Sequence, residues 1–411
     1  MYHTRRDILA GLAALGACAA LPAWAQHEGA GHEGGKAPSA RPPLGTGAAL
    51  DAKGRLWVAQ LESAVPSAGQ PKAFNIILSW TADEGRSWTR VGPALSVPER
   101  VEANGEGRPK LAFGPAGQIY LSFTRALEKS HTGYIRFLRS LDGGRSFSAP
   151  VTVQRDLALT THRFDSLVLD RDGRLFVAWI DKRDADAARA AGLDYRGAAV
   201  YYAVSADGGN SFGPDIRIAD HSCECCRISL SLDAQGRVAA MWRHVFEPNV
   251  RDHAMAILPA TGKPGPIERV SFDDWRIDAC PHHGPSLAFD GAGKRHQVWF
   301  SGAADNSGLF YAPGGSGGAK PTPLRLGGPR AEHGEVFAAG RTVAVVWKEF
   351  DGKATAVTVR VSGDAGATWK ERVMATSAGA SDHPHLVGSE SAVMLVWRTA
   401  DEGVLVRRVA T

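Results

Sequence analysis

A hairpin that recurs seven times is the strongest constraint on how this 411-residue chain folds. Each copy has an apolar strand, a turn containing Gly and a second apolar strand that often ends in Trp or Phe. The copies are GAALDAKGRLWVAQ from Gly47, KLAFGPAGQIYLSF from Lys110, SLVLDRDGRLFVAW from Ser166, SLSLDAQGRVAAMW from Ser229, SLAFDGAGKRHQVWF from Ser286, EVFAAGRTVAVVW from Glu335 and HLVGSESAVMLVW from His385. Their leading apolar residues, Leu50, Leu111, Leu167, Leu230, Leu287, Val336 and Leu386, recur every 49 to 63 positions. That period accommodates four short antiparallel strands per unit, and units that cannot bury their own faces must stack on their neighbours. The expected fold is all-β, a seven-bladed β-propeller over residues 38–411, with six blades as the alternative. The last unit has room for only three strands, so residues 38–46 are expected to add its outer strand and remove an open edge.

A second marker repeats out of phase with the hairpins, in Thr81-Ala-Asp83-Glu-Gly85-Arg-Ser87-Trp88 and in the matching segments around Asp142, Asp207 and Asp364. An Asp at such a turn accepts backbone N–H groups, Gly supplies positive φ, and the aromatic is expected to pack the turn against its own blade. These four segments resemble the Asp boxes of the sialidase-like propellers, and the resemblance covers nearly the whole chain after residue 37. Sialidase activity would need three arginines near the axis, for which Arg108, Arg163, Arg227 and Arg243 are candidates, and a late Tyr nucleophile paired with Glu. The last Tyr is Tyr311 and the final two units hold none, so the resemblance implies the fold without the sialidase reaction. A glycoside hydrolase using paired carboxylates is kept as an alternative.

The N-terminus reads as a twin-arginine-like signal over residues 1–25. Arg5-Arg6 precedes the apolar run from Ile8 to Leu21, and Ala23-Trp24-Ala25 offers a cleavage site. The expected location is the periplasm, with a lipoprotein anchored through Cys18 as the alternative. Residues 26–37 form a Gly- and His-containing tail expected to be flexible. No later run is long enough to cross a membrane, and a net charge of +4 from interspersed acidic and basic residues gives no reason to expect nucleic acid.

In a propeller the residues entering each first strand line one mouth of the central channel. Registering the repeats on their Ser-Leu pairs puts Thr160, Cys223 and Cys280 in one row and His162, Cys225 and His282 in the next. Arg163, Cys226, His283 and Asp382 form a third row; Phe164, Arg227, Gly284, His333 and His383 form a fourth, and His385 follows. This concentration of thiols and imidazoles predicts one metal centre drawn from Cys225, Cys226, His282, His283, His333 and His383, with His162, Cys223, Cys280 and His385 as further candidates. Thiolate with imidazole selects copper, with zinc as the alternative, over the oxygen-seeking Ca²⁺ and Mg²⁺. Arg227 and Arg163 are placed to support the site or bind a small anion, and Trp242 to line it. The ring is loosely similar in geometry to the propeller of nitrous oxide reductase, whose copper cluster is held by histidines around the axis. Here cysteines replace part of the histidine ring and no cupredoxin domain follows, so the similarity implies geometry and not the reaction.

The expected function is copper binding, either to sequester and oxidise the ion or to carry out redox chemistry on a small anionic substrate, with a periplasmic redox protein or metallochaperone as partner. The competing class is a metal-free module that binds protein or glycan, with Cys223 and Cys280 paired in a disulfide.

Overall fold

A computed structural model describes residues 42–65, 72–314 and 320–410. The recurring hairpins form the inner halves of seven small antiparallel sheets, six of four strands and one of three. Their first strands are Gly47–Leu50, Lys110–Phe113, His162–Leu169, Ser229–Leu232, Ser286–Phe289, Ala331–Ala339 and His385–Gly388. Each touches the first strand of the next blade, and His385–Gly388 touches Gly47–Leu50, which closes the ring. This is the seven-bladed propeller, and the six-bladed alternative falls away. The signal, Cys18 and the tail lie outside the described residues. Among the described residues no helix is long and apolar enough to cross a membrane, and the α-helix Arg183–Ala190 is a surface insertion in blade 3.

Local chemistry sets each inner hairpin. Oδ1 of Asp51 accepts the amides of Lys53 and Arg55, and Asp170, Asp233 and Asp290 cap their turns in the same way. The four out-of-phase turns are built as their sequence suggests. In the second, Ser140 donates to Asp142, whose two carboxylate oxygens take the Ser146 amide at 3.0 Å and its hydroxyl at 2.6 Å. The aromatic packs into a cluster that includes its own blade, as expected, and reaches the preceding blade as well. Phe212 of blade 3 meets Phe137 of blade 2 edge-on at 5.1 Å, and Trp369 of blade 6 meets Tyr311 of blade 5 at 4.9 Å. The reason is that each turn lies at the rim of its sheet, where an apolar face of its neighbour is also within reach.

Of the segment expected to add the closing strand, residues 38–41 lie outside the described residues, and at the same seam the rim-turn aromatic bridges the two blades. Among the described residues, 42–46 form no strand and blade 7 has three. Trp88 of blade 1 packs with Val387, Met394, Val396 and Val406 of blade 7 and with Leu56 and Val58 of its own blade. The amide of Thr46 donates to Asp382 at 2.8 Å, and Arg408 pairs with Glu84 across the seam. Side-chain packing thus contributes to this junction, and Trp88→Ala is expected to destabilise the protein by about 2 kcal/mol. Limited proteolysis should then cut first in blade 7, and unchanged cleavage order would refute this account of closure.

Asp273, between blades 4 and 5, accepts the Trp299 indole N–H at 2.7 Å. Burial, with Asp252 nearby, pushes its pKa from 3.8 up to about 6. Because the folded value lies above the unfolded one, the folded state is favoured at low pH and loses stability as pH rises from about 4 through 6. Asp273→Asn keeps an acceptor for Trp299, so it is expected to add about 1–2 kcal/mol at pH 7 and nothing at pH 4. Thermal melts at the two pH values test this.

Candidate metal centre

Segments entering the first strands of five blades converge on Glu106. Its carboxylate is 3 % exposed and is held on three sides, with Nη1 of Arg227 and the backbone amide of Arg227 each donating at 2.8 Å and the amide of Gly284 donating at 3.0 Å. Burial by itself would raise its pKa, but the Arg227 guanidinium and the hydrogen bonds outweigh that and hold it well below the usual carboxylate range. The fourth side faces imidazoles. Nδ1 of His333 lies 3.4 Å and Nδ1 of His383 lies 3.6 Å from Oε1, the two rings stack at 3.3 Å, and the His283 ring lies tilted against His333 at 4.9 Å. Burial, then the charge of neighbouring groups, pushes His283 and His383 well below the ordinary histidine value and keeps them neutral, the state in which an imidazole ligates metal.

The backbone is shaped for this nest. The first strand of blade 6 shifts register between Glu332 and Glu335, with His333 at φ +52° inside the bulge. A bulge redirects a side chain that regular pleating would send elsewhere, and His is among the residues that tolerate this φ. Gly105 and Gly284 are required by proximity: a Cβ on Gly105 would fall 2.2 Å from the His383 ring, and one on Gly284 would lie 2.6 Å from Glu106. Deeper in the channel the polar lining continues. Glu335 bonds His385, whose Nε2 also meets the Ala48 carbonyl at 3.2 Å. Lys110, lowered to about 8 by burial, donates to the Arg108 carbonyl at 2.6 Å.

The cysteines gather separately. The SCECCR segment folds into a tight turn, which brings the Cys223 and Cys225 sulfurs to 3.7 Å and the Cys226 and Cys223 sulfurs to 3.5 Å. The four described cysteines are free thiols, so the Cys223–Cys280 disulfide of the competing metal-free reading is not formed. Cys280 is the one exposed member, and the neighbouring Cys225 thiol lowers its pKa. Hydrogen bonds from Cys225 and Cys226, followed by the charge of Arg243, lower the pKa of Cys223, while the other two trio members are raised. Arg243 is fully buried with its guanidinium on the carbonyls of Arg251, His283 and Phe300, and Arg251 reaches the Cys223 sulfur at 4.0 Å. The spacing suits a soft ion, because metal–sulfur bonds of about 2.3 Å in a tetrahedron separate the sulfurs by about 3.8 Å.

The one mixed centre expected from the rows is thus two groups of potential ligands, Cys223, Cys225 and Cys226 in one and Glu106, His333 and His383 in the other. They are adjacent, since Cys226 belongs to the thiols and Arg227 carries Glu106. The remaining candidates sit elsewhere. His162 is buried against the Gly133 carbonyl at 3.0 Å and Asp181 at 3.6 Å, His282 is exposed at φ +53°, and His385 pairs with Glu335. Arg163 bonds Glu102 at 2.8 Å and covers Phe164. Arg227 supports Glu106, and Trp242 is core, its indole N–H donating to His244 at 3.4 Å. Glu106 was the residue missed. It stands five positions before Leu111, the row of His162, Cys225 and His282, so extending the same register to blade 2 reveals it.

No family model and no curated protein matches the chain. Solved structures share its fold. The polysaccharide lyase Uly1 superposes with a TM-score of 0.54 at 9% identity over 92% of this chain and 92% of its own. A lyase described as an ulvan lyase gives 0.52 at 10% over 88% and 91%. An α-L-arabinofuranosidase from Fusarium graminearum, solved with an iminosugar inhibitor, gives 0.52 at 12% over 78% and 92%. At such identities the likeness shows the propeller fold, and its members here are enzymes of glycans. The resemblance to the sialidase-like propellers rests on the turns alone, and these comparisons do not confirm it.

Proposed function

We propose that the protein binds a thiophilic metal ion, copper as Cu(I) or else zinc, through Cys223, Cys225 and Cys226 with Cys280 closing the set. The observation that carries this is three buried, unbridged sulfurs at metal-site spacing in a single turn. Arg243 and Arg251 offset the negative charge of the thiolates. Binding of the ion in a pocket walled by the blade 3 and blade 4 core suits retention and controlled release, and a copper ion there would also be screened from bulk oxidants. The signal-like residues 1–25 support an exported, periplasmic site of action.

A second reading is a glycan-active protein, and the solved structures support it better than they support copper. It would use the same mouth of the channel. The acids there are committed, Glu106 to Arg227 and Asp382 to the Thr46 amide, which weighs against a paired-carboxylate hydrolase. Elemental analysis of protein exported by its own host, with a thiol count and a panel of neutral and uronate-containing polysaccharides, separates the two. Stoichiometric copper or zinc with no released sugar supports the metal reading. Absence of metal with new reducing ends or unsaturated uronate would overturn it.

A further inference from the structure

The thiol reading leaves the nest on the channel axis unused, although that nest is the more elaborately built of the two. The donor atoms of Glu106, His333 and His383 all lie within 4.8 Å of one another. The two carboxylate-to-imidazole spacings, 3.4 and 3.6 Å, are those across a tetrahedron with bonds of about 2.1 Å, the length of zinc bonds to imidazole nitrogen and carboxylate oxygen. Hydrogen bonding does not account for every polar atom there. Nδ1 of His283 and Nδ1 of His383 are buried without a hydrogen-bond partner, a state that proteins avoid unless something else occupies the position. Such a bulge, a positive φ at His333 and two glycines that admit no side chain are typical of backbone arranged around a function.

We propose that Glu106, His333 and His383, joined by His283, form a second metal site that takes a borderline divalent transition ion, Zn²⁺ or Cu²⁺, in contrast to the soft ion of the thiols. Imidazole and carboxylate select that class, and no sulfur donor belongs to the set. Arg227 acts as a positioning residue: by occupying one lone pair of Oε1 and, through its amide, one of Oε2, it turns the remaining Oε1 lone pair toward the imidazoles. The site extends the metal reading to a second ion but uses none of its ligands, so either can fail alone.

The test is a Co²⁺ titration of the full chain after removal of bound metal, on the wild type, on a Cys223→Ser/Cys225→Ser/Cys226→Ser/Cys280→Ser variant, and on that variant with His383→Gln added. The cysteine-free protein is expected to keep one equivalent of cobalt, with visible ligand-field bands and no thiolate charge-transfer absorption, and to lose that equivalent with His383→Gln. Binding of no cobalt by a folded cysteine-free variant, or retention by the His383→Gln protein, would overturn the proposal. Should these variants fail to fold, anomalous diffraction from wild-type crystals soaked in Zn²⁺ decides. A peak bonded to His333 and His383 supports the site whether or not the thiols are filled, and a peak at the thiols alone refutes it.

Discussion

Arg227→Met is expected to lower the free energy of unfolding by about 3–5 kcal/mol, because it strips the counter-charge from a buried carboxylate. Glu106 is 3 % exposed and Arg227 14 %, so water is poorly placed to replace the lost guanidinium. Two amide donors, from residue 227 and Gly284, would remain, which keeps the estimate below the cost of a wholly unpaired ion. The double variant Glu106→Gln/Arg227→Met should be more stable than Arg227→Met alone, since it removes both charges. Chemical denaturation of the four proteins of this cycle measures the coupling, and additive effects would mean the pair contributes nothing as a pair.

Cys223→Ser is expected to weaken retention of the thiophilic ion by more than about 100-fold, beyond the 10–100-fold typical of losing an outer-sphere partner. Cys223 is the hub of the trio: its sulfur lies within 3.5 to 3.7 Å of both others and faces Arg243 and Arg251. Cys280→Ser should cost less, because Cys280 is exposed and lies outside the close-packed trio. Competition against a chromophoric chelator under reducing conditions gives both affinities. Equal losses would place Cys280 on a par with the buried three, and no loss in Cys223→Ser would remove the site from the thiols.

Much of this was legible before any coordinates. The repeat predicted the blades because a hairpin of period-2 apolar residues can be read from neighbours in the chain, and the Asp turns because each is closed by bonds spanning four residues. The register that aligned His333 with His383 was sound, and the structure stacks their rings at 3.3 Å. It failed for His162 because backbone pairing turns that ring toward Gly133 and Asp181 in its own blade and the preceding one. It merged Cys225 with His282 because a row records height along a blade and not the direction of a side chain. Glu106 does not stand out in the sequence, because carboxylates are common at any loop whereas clustered sulfur and imidazole are rare.

The sequence by itself determined a ring of hairpin blades, the capped turns and the height at which the ligand-rich segments meet the axis, since all of these follow from local bonds and a repeating apolar pattern. Only the tertiary structure decided that the blades number seven, that the thiols close on one another inside a single turn, that Glu106 joins histidines more than two hundred positions away, and that Trp88 packs across the seam between blades 1 and 7. Those outcomes depend on which side chains meet across blades, and on a bulge at His333 that redirects one of them. Such meetings are set by packing between distant segments, where spacing along the chain carries no information.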